Sequence, residues 1–210
     1  MRERVERYPV VRAEQRVIVG EQVNPYHALD RLFALLADDD VVVCGDGSAC
    51  VMTKQVATIR GTQRLFTNSG SASMGYDLPA AIGAVVARGG RRVICLAGDG
   101  SVQLNLQELE VVSSHQMPIV LVVLNNEGYL SMRSSQRAAF NREVGAGPAS
   151  GISFPSTERI AAAYGLPYVR ASGPGFEGAL RTALAMTGPV VCELVLDPAQ
   201  GFEPKLASRV

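Results

Sequence analysis

Two uninterrupted apolar runs, Val93–Ala97 (VICLA) and Ile119–Leu124 (IVLVVL), limit what this chain can fold into more than any other feature. A strand with one wet face alternates apolar and polar residues. A strand that is apolar at every position is covered on both faces, as in a parallel sheet between two layers of helices. Similar short runs recur along the sequence, separated by stretches with helical spacing. The pattern predicts strands over 40–44, 63–66, 92–97, 118–124, 167–171 and 189–196. It predicts helices over 25–37, 49–58, 76–88, 103–115, 156–164 and 175–186. Strand–helix alternation of this kind implies an α/β fold, a doubly wound and mostly parallel six-stranded sheet with helices on both faces.

Two stretches fall outside the pattern. Residues 134–157 are rich in Gly, Pro and Ser and read as a long loop. The ends read as a leader or linker over 1–22 and a tail or flap over 199–210, leaving 23–198 as one domain.

Composition excludes several functions. The chain has 20 acidic and 20 basic residues and a formal net charge of zero, so no nucleic acid partner is expected. No apolar run approaches the ~20 residues of a membrane span. The first residues, MRERVERYPVVRAEQR, lack the apolar core of a signal peptide, and the expected location is cytoplasmic. Cys44, Cys50, Cys95 and Cys192 form no C-x-x-C pair and are expected as buried, reduced thiols. His27 and His115 are not spaced for zinc and are expected to be structural.

The tetrapeptide Gly-Asp-Gly-Ser occurs twice, at 45–48 and at 98–101, each time after an apolar run. In a doubly wound sheet that places both at the C-terminal strand ends, where ligands bind. The second copy has a counterpart in Asn125-Asn126, at the end of the next buried run. If the two strands are neighbours, Asp99 and Asn126 converge. A carboxylate, an amide oxygen and a backbone carbonyl make a hard-oxygen set suited to Mg²⁺. Gly98 and Gly100 free the turn's N–H groups, and a helix starting near Val102 would aim its N-terminus at the same place, as a diphosphate site requires.

The order of these parts (GDG, about 25 residues, NN) resembles the motif of thiamine diphosphate (ThDP) enzymes. The resemblance implies Mg²⁺ held by Asp99, Asn126 and the Gly128 backbone. It extends cofactor contacts to Gly98, Gly100, Ser101, Tyr129 and Leu130. GSASMGYDLPAAIGA (70–84) is similar to a second family segment, which implies that Met74 props the cofactor in its bent shape while the backbone near Ala72 meets the aminopyrimidine. NNEGYLSMRSSQ and IAAAYGLPYVR extend the likeness. From Val23 onward the chain resembles the diphosphate-binding (PP) domain of acetolactate synthase-like enzymes, those of specialised metabolism above all. By the same resemblance Gly47, Ser48 and Ala49 touch the diphosphate from the other side, and Asp46 is a turn residue rather than a metal ligand.

In the family a glutamate on a separate pyrimidine-binding (PYR) domain activates the cofactor. Glu108 and Glu110 follow the second GDGS and read as helix-surface residues, so the resemblance implies no catalytic residue in this chain. It implies a split enzyme, with a second polypeptide supplying the PYR domain and the glutamate, two copies of each, unless the chain is cut from a longer one. The family decarboxylates a 2-oxo acid and passes the acyl unit to an acceptor. The chain has no Trp, where acetolactate synthases commonly show one after the Asn pair. Arg133 and Arg137 stand there instead, either facing the pocket to hold an anionic substrate group or solvated on a helix surface. A two-subunit decarboxylase of the sulfopyruvate type and a non-catalytic scaffold subunit remain as alternatives. A nucleotide-binding protein is disfavoured by the lack of a Walker lysine and of a G-x-G-x-x-G turn.

Overall fold

The computed structural model describes residues 9–204. The apolar runs are continuous because their alternate residues enter different cores. Ile94 and Leu96 of β3 (Val93–Gly98) and Val120, Val122 and Leu124 of β4 (Ile119–Asn125) join one cluster. Val93, Cys95 and Ala97, with Ile119, Leu121 and Val123, join the other. Each fully buried aliphatic side chain there contributes about 1.5–3 kcal/mol, so an unpaired polar side chain at these positions of β3 and β4 would be costly.

Four further strands complete the sheet: β1 (Val41–Cys44), β2 (Arg64–Thr67), β5 (Tyr168–Ala171) and β6 (Val190–Val195). The order is β2-β1-β3-β4-β6-β5 and every pairing is parallel. Helices α1 (Pro25–Leu35), α2 (Gly47–Val56) and α7 (Phe176–Ala185) pack on the first face. Helices α3 (Asp77–Ala87), α4 (Glu108–Ser114) and α6 (Thr157–Ala163) pack on the second. Local chemistry sets the start of α1: the Asn24 side chain accepts from the Tyr26 N–H at 3.0 Å, and Pro25 opens the first turn. The six strands lie within one or two residues of the sequence expectation.

The chain leaves β1 towards β2 and then returns to place β3 on the other side of β1. That reversal opens a crevice at the C-terminal ends of β1 and β3, where both GDGS loops emerge.

Two expectations are corrected. The stretch 134–157 is not all loop, because α5 (Leu130–Phe140) occupies its first part. Only Leu130 and Arg133 of that helix are buried, so it has no apolar stripe to announce it. The predicted helix 103–115 is divided. Val102–Asn105 form a 3₁₀ turn, held where the Asn105 amide donates to the Gly75 carbonyl at 2.6 Å, and α4 starts only at Glu108.

Of the predicted leader, residues 9–22 include a buried Val11 and Gln15. Arg12 and Gln15 bond Glu203 of the predicted tail. The N–H of Glu203 donates to the Tyr26 hydroxyl at 2.6 Å. The rest of both expectations lies outside the described residues. All four cysteines are buried and unpaired by disulfides, and burial pushes the Cys44 thiol up to about 12.

Candidate functional site

The register pairs Gly98 with Leu124, so the residues that follow β3 and β4 emerge side by side. Asp99 and Asn126 therefore converge, each buried. The carboxylate of Asp99 accepts from the Gly100 N–H and from the Gly128 N–H, both at 2.8 Å. Burial pushes its pKa up to about 6, against the lowering effect of those N–H bonds and of the Arg133 charge. The Asn126 amide donates to the Ser48 hydroxyl at 3.1 Å. Its Oδ1 is buried and has no hydrogen-bond partner among the described residues.

That orphaned oxygen is a test of fit for a cation. An unsatisfied buried acceptor costs about 1–3 kcal/mol, and this one sits beside a buried carboxylate with lone pairs to spare. The carbonyl of Gly128 accepts one N–H, from Leu130 at 3.1 Å, which leaves a second lone pair. Carboxylate, amide oxygen and carbonyl form the hard-oxygen set that Mg²⁺ takes. No cluster of three or more His, Cys, Asp or Glu exists among the described residues.

Around these ligands lies a cleft of about 80 Å³ that also gathers Gly47, Ser48, Met74, Gly98, Gly100, Ser101, Tyr129 and Leu130. The structure does not bring two of the expected residues into it. Ala49 is fully buried on the core-facing side of α2, and Ala72 lies outside the lining. Asp46, Ser131 and Met132 join the lining unannounced. Asp46 stands at the N-cap of α2 with its side chain making no cap bond.

The helix N-terminus expected near Val102 is a 3₁₀ turn, so that source of positive potential is absent at that position. Two others replace it. α2 starts at Gly47 and α5 at Leu130, and both first turns line the cleft. First-turn N–H groups lack intrahelical partners and favour anions. The helix expected over 49–58 is α2, starting two residues earlier; α5 gave no such signal.

Glycines fix the loop shapes by close approach. A Cβ on Gly100 would fall 2.8 Å from Tyr129 Cδ1. Gly128 has φ +123°, and a Cβ there would meet the Ala146 carbonyl at 2.7 Å. Below the cleft, the Ser101 hydroxyl donates to Asp77 at 2.6 Å and accepts from the Gly75 N–H at 2.9 Å, tying the second GDGS to the 70–84 segment. Met74 stands at the lip, 38% exposed.

The two arginines part ways: Arg133 meets neither expectation, and Arg137 meets the second, on the surface of α5. Arg133 is buried and donates to backbone carbonyls, so it is neither solvated nor aimed at a substrate. Arg137 is exposed and pairs with Glu143. His27 packs edge-on against Phe176, and His115 ends α4. Glu108 and Glu110 lie in the first turn of α4, half-buried and exposed. A wider groove of about 520 Å³ between α3 and strands β1 and β2 is lined by Phe66, Tyr76, Ala80 and Ala84, with Arg64 and Arg88. It gathers none of the convergent oxygen ligands.

At the switch point of this parallel sheet a buried carboxylate, an unpartnered amide oxygen and two helix N-termini meet, donors of the kinds that a cation and an anion require. The chain belongs to the thiamine pyrophosphate enzyme family, C-terminal TPP binding domain, which matches residues 45–194. It is 29% identical over 199 residues to the probable acetolactate synthase 2, chloroplastic, of Oryza sativa subsp. japonica, covering 90% of this chain and 30% of that protein. It is 28% identical over 182 residues to the acetolactate synthase isozyme 1 large subunit of Escherichia coli (strain K12), covering 85% and 32%. With the isozyme 2 large subunit of the same organism it shares 32% identity over 143 residues, covering 68% and 26%. The chain thus spans about 30% of the length of these relatives and corresponds to their cofactor-binding part.

Proposed function

We propose that this chain is the diphosphate-binding subunit of a ThDP- and Mg²⁺-dependent enzyme that decarboxylates a 2-oxo acid and transfers the acyl unit to an acceptor in specialised metabolism. The observation that carries this reading is the buried, unpartnered Asn126 Oδ1 beside the Asp99 carboxylate, within a ThDP-binding family domain. Asp99, Asn126 and the Gly128 carbonyl would hold Mg²⁺. The first turns of α2 and α5, through Gly47, Ser48 and Leu130, would receive the phosphates. Gly98, Gly100, Ser101 and Tyr129 shape that end of the cleft, and Met74 at its lip supports the organic part of the cofactor. Bound ThDP would supply a carbon nucleophile that adds to the 2-oxo carbonyl and a cationic ring that takes up the electron pair released on loss of CO₂.

This chain's own contribution is binding and orientation. The acid–base group that activates the cofactor belongs to a PYR domain, which we place on a second polypeptide, two of each chain forming the enzyme in the cytoplasm. Among the described residues no helix is long and apolar enough to cross a membrane. With Arg133 and Arg137 turned away from the cleft, the reading as a decarboxylase of sulfonated or phosphorylated acids loses its motivating feature. Transfer to a second carbonyl compound is the activity we assign.

Calorimetric titration of ThDP and Mg²⁺ into the chain, alone and assembled with a PYR-domain polypeptide, tests the reading. Binding in the assembled sample that disappears in Asp99→Ala is the expected result. Absence of binding by an assembled, folded pair refutes it.

A further inference from the structure

The turn that carries two of the three cation ligands is held from behind by a buried arginine. Arg133, on the first turns of α5, is 6% exposed. Its Nη2 donates to the Asn126 carbonyl at 2.7 Å and to the Pro198 carbonyl at 3.3 Å, and its Nη1 to the Glu127 carbonyl at 2.6 Å. Among the described residues it makes no ion pair; its partners are all main-chain oxygens. Gly128 and Gly147 let the backbone close on it, because a Cβ at either would stand 3.2 or 3.0 Å from Nη1.

The turn needs holding. Glu127 has φ +60°, a conformation an L side chain rarely takes, and Gly128 has φ +123°. Such geometry persists only where surrounding contacts over-determine it. The Asn125 side chain contributes from the strand side. Its Oδ1 accepts from the Glu127 N–H at 3.1 Å, and its amide is fixed by donation to the buried Glu193 at 2.7 Å. Among the described residues only Arg133 grips the two successive carbonyls of Asn126 and Glu127. A planar fork with several fixed donors does this; an ammonium on a flexible stem engages one carbonyl at a time.

We propose that Arg133 is a positioning residue that pre-forms the Asn126–Glu127–Gly128 turn for the cation and ties it, through Pro198, to the segment leaving β6. This rests on the reading of Asp99, Asn126 and Gly128 as the Mg²⁺ site. Groups that orient metal ligands without touching the metal change its affinity by roughly 10–100-fold when removed. The guanidinium also places a positive charge near the Asp99 carboxylate and near the anion-binding first turns.

Two measurements on the full chain test this, with Arg133→Met and Arg133→Lys beside wild type. Leu180→Ala serves as a control, since it weakens the core on α7 away from the cleft. Backbone hydrogen exchange of the ligand-free chain reads the turn. Arg133→Met should raise exchange at Gly128 and Tyr129 at least about 10-fold, Arg133→Lys by less, and Leu180→Ala should leave these amides unchanged under native conditions. Mg²⁺ titration in the presence of ThDP, on the chain assembled with its PYR-domain partner, reads the site. Affinity should fall about 10–100-fold in Arg133→Met, with partial recovery in Arg133→Lys. Unchanged exchange in both Arg133 variants, or the same change in Leu180→Ala, overturns the proposal. If Arg133→Met does not fold, Arg133→Lys decides alone by the same criteria. A wild-type assembly that binds neither ThDP nor Mg²⁺ refutes the functional reading instead, and the exchange result still decides whether Arg133 holds the turn.

Discussion

Gly100→Ala isolates one steric contact in the site. The backbone at Gly100 is not in the left-handed region, so the substitution carries no conformational penalty of that kind, and its whole cost is contact. The new methyl would lie 2.8 Å from Tyr129 Cδ1 and 2.9 Å from Cζ, and closer still to Cε1. An ordinary contact begins at 3.4 Å, so the ring must withdraw by about 1 Å at Cε1. It is not free to do so. Its edge packs against Phe154 with centroids 5.4 Å apart, and the Tyr129 N–H is bonded to the Ala146 carbonyl at 2.9 Å. Forcing a methyl into a packed site of this kind costs about 1–3 kcal/mol. Weakening the aromatic pair adds a share of its roughly 0.5–1.5 kcal/mol. We expect urea unfolding to show a loss of about 2–3 kcal/mol, seen in thermal melts as a drop of about 2–4 °C per kcal/mol for a chain of this size. The decisive comparison is a double-mutant cycle with Tyr129→Ala. Once the ring is gone, Gly100→Ala should cost under about 0.5 kcal/mol, the usual limit for a substitution that meets nothing. An equal cost in both backgrounds would show that Tyr129 is not the obstacle and refute the reasoning.

Asn126→Ala separates binding from stability. It removes one bond, to Ser48, together with one unsatisfied buried oxygen, so the two effects oppose each other. The midpoint of urea unfolding should move by less than about 1 kcal/mol equivalent, while Mg²⁺ titrated with ThDP should bind at least about 10-fold more weakly. A surface prediction concerns Glu177, which accepts from Arg31 at 2.9 and 3.0 Å and from Arg181 at 2.7 Å. The Arg31 bonds and then the Arg181 bond hold its carboxyl down at about 2. A carboxyl depressed below its unfolded value adds stability above that value, near pH ~4.3, and loses it as pH falls through the folded value. The side chain is 30% exposed, so solvent reduces the effect to about 1 kcal/mol. Wild type and Glu177→Gln should therefore differ by that amount in unfolding at pH 7 and converge by pH 2; a gap that persists in acid contradicts the assignment.

Much of the fold was legible because the two cores leave the same mark. Each central strand feeds alternate residues to opposite faces, so the period-2 signal vanishes and a continuous run such as IVLVVL replaces it. What stayed hidden was structure made without apolar periodicity. Helix α5 shows no buried apolar stripe, because the molecule buries only Leu130 and Arg133 from it and leaves Met132 and Phe140 exposed. The break before α4 depends on one side-chain bond between Asn105 and Gly75, thirty residues apart in sequence. The second GDGS and the Asn pair could be read as partners because their separation spans one helix and one buried strand, the unit that places two loops side by side in a parallel sheet. Arg133 was unreadable for a different reason. Sequence reasoning looks for a partner of opposite charge, and its partners are carbonyls that every residue possesses.

The size of the cleft bears on how the cofactor would be shared. Pockets that enclose a whole small ligand measure about 300–1,000 Å³, whereas this one holds about 80 Å³. That suits a cation with phosphate oxygens, and its lining joins the buried Asp99 and Asn126 and the first turns of two helices to the partly exposed Met74 and Met132. A surface that grips the charged end of a molecule and leaves the organic end on an open rim needs a second surface to complete it. The relatives, three times as long as the part this chain matches, have chain to spare for such a surface. On this reading the open lip is the place where the PYR domain meets this one, and the cation site beneath it is the part of the catalytic centre that this chain builds by itself.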